Sequence, residues 1–237
     1  MSNEAMIDMK KAVEAILAKR EEVPAQRSAL IAVTGIDGSG KGYLTERIVA
    51  QLQEHGSNAV GINIDGWLNL PDKRFNSDDP AGHFYEHAIR FDEMFERLIL
   101  PLRENRRCHV VADFAEETAT RYRKHAYLFE GVDIIVLEGI YLLKRAYRDH
   151  FDLSFWVDCS FETALERAIE RGQEGLPREE TTRAYETIYF PAQRIHFEKD
   201  DPQSVADFII NNDPRILIGT SSEKPTPVTN QHSGRNL

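Results

Sequence analysis

Short apolar runs separated by amphipathic stretches dominate the middle of the chain. Four runs, at residues 29–33, 59–64, 133–137 and 153–157, have the length and the continuous apolar character of buried strands. Between them, apolar residues recur every three or four positions, as they do along one face of a helix. Strands that alternate with helices predict an α/β domain with a mainly parallel sheet.

Two further segments are candidate strands, and one is a candidate loop. Residues 108–112 predict a short strand, whereas residues 206–210 fit either a strand or the end of a helix. Residues 71–83 are polar and rich in turn-forming residues, so we expect a loop there. A loop of that length inside a compact domain is more often functional or mobile than idle.

Helical periodicity is clear in three later stretches. Residues 83–100 carry an apolar face, and we expect Pro101 to end that helix. Residues 161–171 form a predicted helix. Residues 180–196 are expected to be helical in part, with an interruption near Pro191, because proline has no backbone N–H to donate.

The two ends of the chain differ from its middle. Residues 1–25 predict an N-terminal helical extension, since an apolar stripe runs along residues 5–20. This helix would pack on the domain or contact another subunit. Residues 219–237 are rich in Ser, Thr and Pro without periodicity, which is typical of a disordered tail. The main domain is therefore expected at residues 26–218.

Composition and charge narrow the class of partner. The 237 residues carry a net charge of −10 and a pI near 5.3, which argues against nucleic acid or a membrane surface as the main partner. No apolar stretch reaches the ~18 residues of a membrane span, and the first residues lack the apolar core of a signal peptide. Cys108 and Cys159 are expected to be free thiols, which fits a reducing, cytoplasmic compartment. A homo-oligomer is left open.

A glycine-rich stretch, GIDGSGK at residues 35–41, follows the first apolar run and opens a helical pattern. Glycines let the backbone turn several N–H groups toward one point, the helix N-terminus adds partial positive charge, and the lysine reaches the outer phosphates. An ordinary glycine-rich turn with a surface lysine is the weaker interpretation. The residues expected to bind a nucleotide are Gly35, Ile36, Asp37, Gly38, Ser39, Gly40, Lys41, Gly42 and Tyr43.

One position departs from the phosphate-loop pattern. After the lysine the pattern has Ser or Thr, whose hydroxyl binds magnesium, but here the residue is Gly42. The prediction of phosphate binding stands, whereas the ordinary metal geometry is in question.

Three acidic residues, Asp65, Asp113 and Glu138, each end an apolar run. A phosphate site lies at the carboxyl edge of a parallel sheet, so we expect these acids to meet there. Asp65 is a candidate base for a substrate hydroxyl, and Glu138 is a candidate magnesium ligand. The alternative for each acid is a strand-end cap or a solvated turn residue.

Other candidates have strong structural alternatives. Arg167 and Arg171 lie four apart on a predicted helix and could neutralise a transferred phosphate, although a solvated helix face is the more common outcome. His83 and His87 share that spacing, but no third ligand suggests zinc. The aromatic residues that could wall a substrate, or be core, are Trp67, Phe84, Tyr85 and Phe114.

Several motifs together resemble the uridine kinase family, within the larger group that includes phosphoribulokinase and one type of pantothenate kinase. They are GIDGSGK, IDGW, EHAIRFD, ADFAEETATR, VLEGIYLL, the arginine-bearing helix and PAQRIHFEKDDPQSVADFIINN, spread over residues 29–212. The resemblance implies a P-loop kinase fold with a five-stranded parallel core and a lid. It also implies ATP, Mg²⁺ and transfer of the terminal phosphate to a hydroxyl of a small molecule, such as uridine or cytidine.

The resemblance also implies roles for individual residues. Asp65 falls at the family's catalytic base, and Glu138 falls at its metal-associated glutamate. The residues matching substrate-pocket positions are Glu86, His87, Asp113, Phe114 and Arg121, and those matching lid arginines are Arg167, Arg171 and Arg178. Ala112 stands where the family has a tyrosine, and Gly66 and Trp67 replace the pair usual in nucleoside kinases. The kinase class is therefore better supported than uridine as the acceptor.

Two other functions are compatible with the motifs. A nucleotide-binding protein that has lost catalysis, and that acts through conformation or a partner, would explain Gly42. A GTPase-like switch is weaker, because the sequence shows no base-specificity motif and no catalytic glutamine in a switch loop.

Overall fold

The computed structural model describes residues 7–172 and 175–215. The predicted disordered tail at residues 219–237 lies outside the described residues, as do residues 1–6. Within the described ranges, the strands are β1 (Ala29–Gly35), β2 (Ala59–Asn63), β3 (Cys108–Phe114), β4 (Arg123–Phe129), β5 (Ile134–Gly139), β6 (Leu153–Asp158) and β7 (Phe208–Asn211).

Helices cover both faces of the main sheet. They are α1 (Met9–Glu22), α2 (Lys41–Glu54), α3 (Pro71–Arg74), α4 (Pro80–His87), α5 (Phe91–Met94), α6 (Leu100–Asn105), α7 (Phe161–Arg171), α8 (Arg178–Ala184), α9 (Phe190–Asp200) and α10 (Pro202–Val205). Two 3₁₀ turns (Ile64–Gly66 and Arg148–His150) and two π-helical turns (Phe95–Ile99 and Tyr185–Tyr189) complete the described elements. None of the described helices combines the length and the apolar character that crossing a membrane requires.

The predicted five-stranded parallel sheet is confirmed. Its order is β2-β5-β1-β6-β7, and every neighbouring pair is parallel. All seven residues of β1 are buried, because this central strand has helices on both faces. Side chains of β1 alternate between two cores: Leu30 belongs to one, and Ile31 and Val33 belong to the other.

The N-terminal helix packs on the domain. Ala12, Val13 and Ile16 of α1 are buried in the same core as Ile31 and Val33. Of the two outcomes that the sequence left open, the structure shows this packing. The ambiguous segment at residues 206–210 contributes β7, which pairs with β6 at the sheet edge.

The pairing of β3 corrects the prediction that Asp113 ends a strand of the parallel sheet. Strand β3 does not join the parallel sheet but pairs antiparallel with β4, a strand that the polar sequence near residues 116–124 did not predict. The strand was hidden because its first residues, Arg123 and Lys124, continue the polar segment, and because Tyr127 is its one buried residue. Asp113 therefore ends a strand of a separate sheet.

Two prolines are accommodated inside helices rather than at their ends. Pro101 was predicted to end a helix, but the helix runs on to Asn105, and residues 180–196 are helical through Pro191. Each proline comes two residues after a π-helical turn, in which the next N–H reaches back five residues, from Leu100 to the Phe95 carbonyl in the first case. This wider turn accommodates a residue that cannot donate the usual helical hydrogen bond.

The predicted loop at residues 71–83 is partly helical. Pro71 opens α3 and Pro80 opens α4, in the first-turn position where the missing N–H of proline costs nothing. The Asp79 side chain caps α4 by accepting a hydrogen bond from Gly82 N at 3.0 Å. Two helices thus begin within this polar segment.

A largely buried ion pair joins the start of β6 to the segment before β1. Arg27 donates two hydrogen bonds of 2.8 Å to the Asp152 carboxylate, which also accepts Leu30 N at 2.9 Å. Burial raises the pKa of Asp152, but these hydrogen bonds outweigh burial and hold its pKa below the ordinary 3.8.

We predict that Asp152→Asn lowers the free energy of unfolding by about 2 kcal/mol at neutral pH, because it leaves Arg27 without its counter-charge. Since the carboxylate's pKa is depressed on folding, its contribution is complete above pH 3.8 and disappears as pH falls through the folded-state pKa. Urea unfolding across pH measures both effects. Asp149→Asn is the control, because the Asp149 side chain is 93% exposed; equal effects of the two changes would contradict the prediction.

Candidate functional site

The glycine-rich loop between β1 and α2 has the conformation expected of a phosphate loop. Gly38 and Gly40 have positive φ angles of 75° and 85°, which other residues rarely adopt. A Cβ at Gly38 would collide with the Ala164 carbonyl, and a Cβ at Gly40 would collide with the Asn212 side chain. The glycines are therefore required both by backbone angle and by close packing from α7 and the segment after β7.

Lys41 opens α2 at the end of this loop. It is only 8% exposed, and its Nζ donates to the Ile36 carbonyl at 3.2 Å. A cavity opens at this loop, and we call it the main cavity because it contains the phosphate loop. The loop residues that line it are Asp37, Gly38, Gly40, Lys41, Gly42 and Tyr43. Gly35, Ile36 and Ser39 lie buried beneath them.

Two side chains from late in the chain hold the loop from outside. The Ser39 carbonyl accepts hydrogen bonds from Asn212 Nδ2 at 2.7 Å and from Arg167 Nη1 at 3.2 Å. Arg167 Nη2 also donates to the Asn212 carbonyl at 2.8 Å. Arg167 also lines the cavity, but one of its nitrogens binds the loop and another binds the segment after β7.

Two of the three predicted acids meet at the carboxyl edge of the sheet. Asp65 lies in the turn after β2, where its N–H donates to Asn63 Oδ1 at 2.6 Å. Glu138 lies near the end of β5, which pairs with both β1 and β2. A Cβ at Gly139 would collide with Ile64, so glycine lets the end of β5 approach this turn. Both carboxylates line the same cavity as the phosphate loop.

Burial makes these carboxylates hard to ionise without a cation. Burial, helped by the neighbouring charges of Asp65 and Asp37 and opposed by Lys41, raises the pKa of Glu138 to about 7. Burial likewise raises the pKa of Asp65, again against Lys41. The site therefore favours added positive charge between the acids and the loop.

This donor set fits Mg²⁺. Within residues 7–172 and 175–215, no three metal-ligating side chains come together. Mg²⁺ is commonly held by one or two carboxylates together with phosphate oxygens and water, so Glu138 suffices on the protein side and leaves Asp65 free for another role. The hydroxyl of Thr45, one turn along α2 from Gly42, is buried and has no hydrogen-bond partner among these residues.

Besides Phe84, which was a candidate wall residue, the cavity is also lined by residues that the sequence did not single out. The cavity has a volume of about 340 Å³. Besides the loop and the two acids, its lining includes Leu68, Arg74, Phe84, Glu117, Ile140, Tyr185 and Tyr189, together with the predicted Arg167 and Arg171. Arg74 is 3% exposed, which its position in a polar segment beside exposed Lys73 did not suggest.

The predicted substrate residues of α4 lie outside this cavity. Phe84 lines it, but Glu86 and His87 are exposed and border a separate groove. The Glu86 carboxylate pairs with Lys199 Nζ at 2.9 Å, and the His87 ring lies 4.4 Å from the His83 ring. Because residues two positions apart face different directions on a helix, Glu86 points away from the surface that Phe84 presents to the cavity. A substrate role for Glu86 and His87 stays a prediction.

Other predicted substrate residues are also displaced. Asp113 pairs with Lys124 across the β3–β4 hairpin at 2.8 Å, so the expectation that it joins the sheet-edge acids is wrong. Phe114 packs against Gly66, where a Cβ would lie 2.5 Å from its ring, directly beside the turn that carries Asp65. Arg121 and Arg178 are exposed and are absent from the described lining of the main cavity.

Known proteins share this fold and sequence pattern. A protein of Limosilactobacillus reuteri named uridine kinase is 32% identical over 149 residues, which are 62% of this chain and 66%, just under two thirds, of that protein. The structure of a possible uridine kinase from Bacillus stearothermophilus aligns with a TM-score of 0.66 at 18% identity, covering 85% of this chain and 96% of that chain. A putative fructose transport system kinase from Silicibacter sp. aligns with a TM-score of 0.66 at 20% identity, covering 86% and 98%. At these identities the two structures support the fold alone.

A family model covers most of the domain just described. Residues 30–201 match the Phosphoribulokinase / Uridine kinase family. This segment includes the phosphate loop, both sheet-edge acids and the arginines of α7. Because the match spans well over half of the chain, the protein belongs to the phosphoribulokinase and uridine kinase family.

Proposed function

We propose that this protein is an ATP-dependent phosphotransferase that moves the terminal phosphate of ATP to a hydroxyl of a small molecule. One observation carries the proposal: Asp65 lines the same cavity as the phosphate loop and Lys41. Phosphoryl transfer requires a phosphate cradle and a group that orients or deprotonates the attacking hydroxyl, and this cavity brings the two together.

Each residue has a distinct task in this proposal. The loop N–H groups and Lys41 bind the outer phosphates, and Arg171 adds positive charge at the cavity wall. Asp65 accepts the proton of the acceptor hydroxyl, and its burial, which raises its pKa, makes it a better base than an exposed aspartate.

Magnesium and ATP follow from family membership and from the donor set. Glu138 would hold the ion on the protein side. When bound, Mg²⁺ neutralises negative charge on the transferred phosphate. Gly42 supplies no hydroxyl, so Glu138 carries more of the metal binding than it would beside Ser or Thr.

Several classes of alcohol are candidates for the acceptor. The relative named above is a uridine kinase, and one structural neighbour is a putative fructose transport system kinase. A nucleoside such as uridine or cytidine is therefore one proposed acceptor, and a sugar-like alcohol is another. The test is ATP consumption with Mg²⁺ across nucleosides, sugars, sugar phosphates and hydroxy acids, with mass spectrometry for a product heavier by one phosphoryl group. A phosphorylated product supports the proposal, and clear ATP binding without any product contradicts it.

A second candidate is a nucleotide-binding protein without turnover, which acts through conformation or a partner. Gly42 favours it, because the usual hydroxyl for the metal is absent. It predicts ATP binding at ordinary affinity and no phosphorylated product. Steady-state phosphorylation of any acceptor rules it out.

We predict that Asp65→Asn lowers kcat at least about 100-fold while ATP affinity stays within threefold of the wild type, as expected for a general base. Calorimetry measures ATP binding, and coupled ADP production measures kcat. Asp72→Asn is the matched control, because Asp72 is an exposed aspartate in the neighbouring helix α3. Unchanged turnover in Asp65→Asn would end the assignment of Asp65 as the base.

We predict that Lys41→Ala weakens ATP binding about tenfold to a hundredfold, the effect of losing a charge-assisted hydrogen bond worth about 1.5–3 kcal/mol. The measurement is calorimetric titration with ATP and Mg²⁺. Lys10→Ala is the control for charge, because the Lys10 side chain is 86% exposed. A Lys41→Ala protein with wild-type ATP affinity would show that the phosphates bind elsewhere.

We predict that Gly42→Thr lowers the Mg²⁺ concentration needed for half-maximal activity, because it restores the hydroxyl beside Glu138. A Cβ fits at Gly42, since it meets nothing closer than Glu138 Oε2 at 3.7 Å. Gly42→Ala is the matched control, as it adds the Cβ without the hydroxyl. An equal Mg²⁺ requirement in all three proteins would mean that another group already holds the ion.

A further inference from the structure

Arg74 is a buried cation in the wall of the main cavity. It is 3% exposed, lies at the end of α3 and lines the same cavity as Asp65. Its Nη2 donates to the Glu117 carbonyl at 2.6 Å. Its Nε is buried and has no hydrogen-bond partner in the described part of the chain. A guanidinium keeps its charge and its donors under all ordinary conditions, so an unused Nε–H in this position is costly.

The surroundings hold the guanidinium in place rather than neutralise it. Its carbon lies 5.1 Å from the centre of the Phe75 ring, and the Glu117 carbonyl fixes Nη2. Burial lowers the pKa of Arg74, and the more distant charges of Glu117 and Asp65 only partly oppose this effect. Within residues 7–172 and 175–215, Arg74 forms no ion pair with a carboxylate.

Apart from Asn63 and the charged residues, which include Glu117, the cavity lining outside the loop is apolar or aromatic. Leu68, Phe84, Tyr185 and Tyr189 line the cavity beside Arg74. A wall of this kind binds the carbon skeleton of a ligand, and a single cation selects the charged group attached to that skeleton. A neutral acceptor would cover Arg74 without giving its guanidinium a charged partner, whereas an anion would form a charge-assisted hydrogen bond with it.

We propose that the phosphate acceptor carries an anionic group, a carboxylate or a phosphate, and that the Arg74 guanidinium binds this group while Asp65 faces the hydroxyl. The inference rests on the proposed phosphotransferase function and names its substrate class. The cavity volume of about 340 Å³ keeps that acceptor small. Carboxylates and phosphates offer the same oxygen acceptors to a guanidinium, so the experiment must distinguish them.

The first experiment compares acceptors that differ in their anionic group. The pairs are glycerate and glycerol, pantothenate and pantothenol, and ribose 5-phosphate and ribose, each with ATP and Mg²⁺; uridine is included as a neutral nucleoside. We expect a charged member to exceed its neutral partner at least about tenfold in kcat/KM. The carboxylate and phosphate pairs reveal which anion the site takes. Equal or better use of the neutral members, or of uridine, overturns the inference.

The second experiment assigns the preference to Arg74. We expect Arg74→Gln to raise KM for the charged acceptor about tenfold to a hundredfold with a smaller change in kcat, and Arg74→Lys to recover part of the loss because it keeps the charge. Lys73→Gln is the matched control, since Lys73 is the exposed neighbour on the same helix. If Arg74→Gln instead impairs charged and neutral members equally, Arg74 acts only by holding the Glu117 carbonyl, and the inference is wrong.

A binding measurement separates this inference from the proposed function. Calorimetry with ADP and Mg²⁺ measures the affinity for each member of the three pairs, in the wild type and in Arg74→Gln. Preferential binding of a charged member that Arg74→Gln abolishes, without any phosphorylated product, supports the inference and contradicts the phosphotransferase. Transfer of phosphate to neutral acceptors alone supports the phosphotransferase and contradicts the inference. Failure of every charged member to bind better than its neutral partner overturns the inference regardless of turnover.

Discussion

The backbone of the phosphate loop must be held in a curled conformation before it can bind a polyphosphate, and the rest of the structure depends on this constraint. The loop cannot hold itself, because its glycines lose more conformational freedom on ordering than any other residues. Groups from distant parts of the chain do so instead. Asn212 and Arg167 bind the Ser39 carbonyl, and Ala164 packs directly on Gly38. The order of the strands brings these late segments beside β1, so the fold itself shapes the site.

The same constraint explains the electrostatics of the cavity. The central strand β1 is fully buried, and the sheet edge where it ends therefore gathers Asp65 and Glu138 in a poorly solvated place with Lys41 between them and the loop. Burial favours the neutral acids, and the lysine favours the charged ones. Binding an anionic nucleotide together with a cation satisfies all of these groups at once. The buried guanidinium of Arg74 adds further positive charge to the wall of the same cavity.

What could be predicted from the sequence was local. Residues 29–45 contain the strand, the glycines, the lysine and the helix start in one continuous stretch, so both their structure and their chemistry could be recognised. Asp65 and Glu138 followed from the rule that parallel strands end at one edge. The same rule gave a wrong prediction for Asp113. The pairing of β3 with β4 depends on tertiary contacts, which the sequence of a half-exposed strand does not reveal. Arg74 was missed because burial of a charged side chain is a property of the assembled fold, and nothing in a Lys-Arg pair distinguishes the exposed member from the buried one.

The central claim is that one cavity both cradles ATP and activates a hydroxyl. The most direct test follows the phosphorus atoms: ³¹P NMR of the wild-type protein with ATP, Mg²⁺ and excess acceptor. The account predicts that the signal of the terminal phosphate disappears and that a phosphomonoester signal and ADP appear in equal amounts. Persistence of ATP with all acceptors, or its conversion to inorganic phosphate alone, would contradict it.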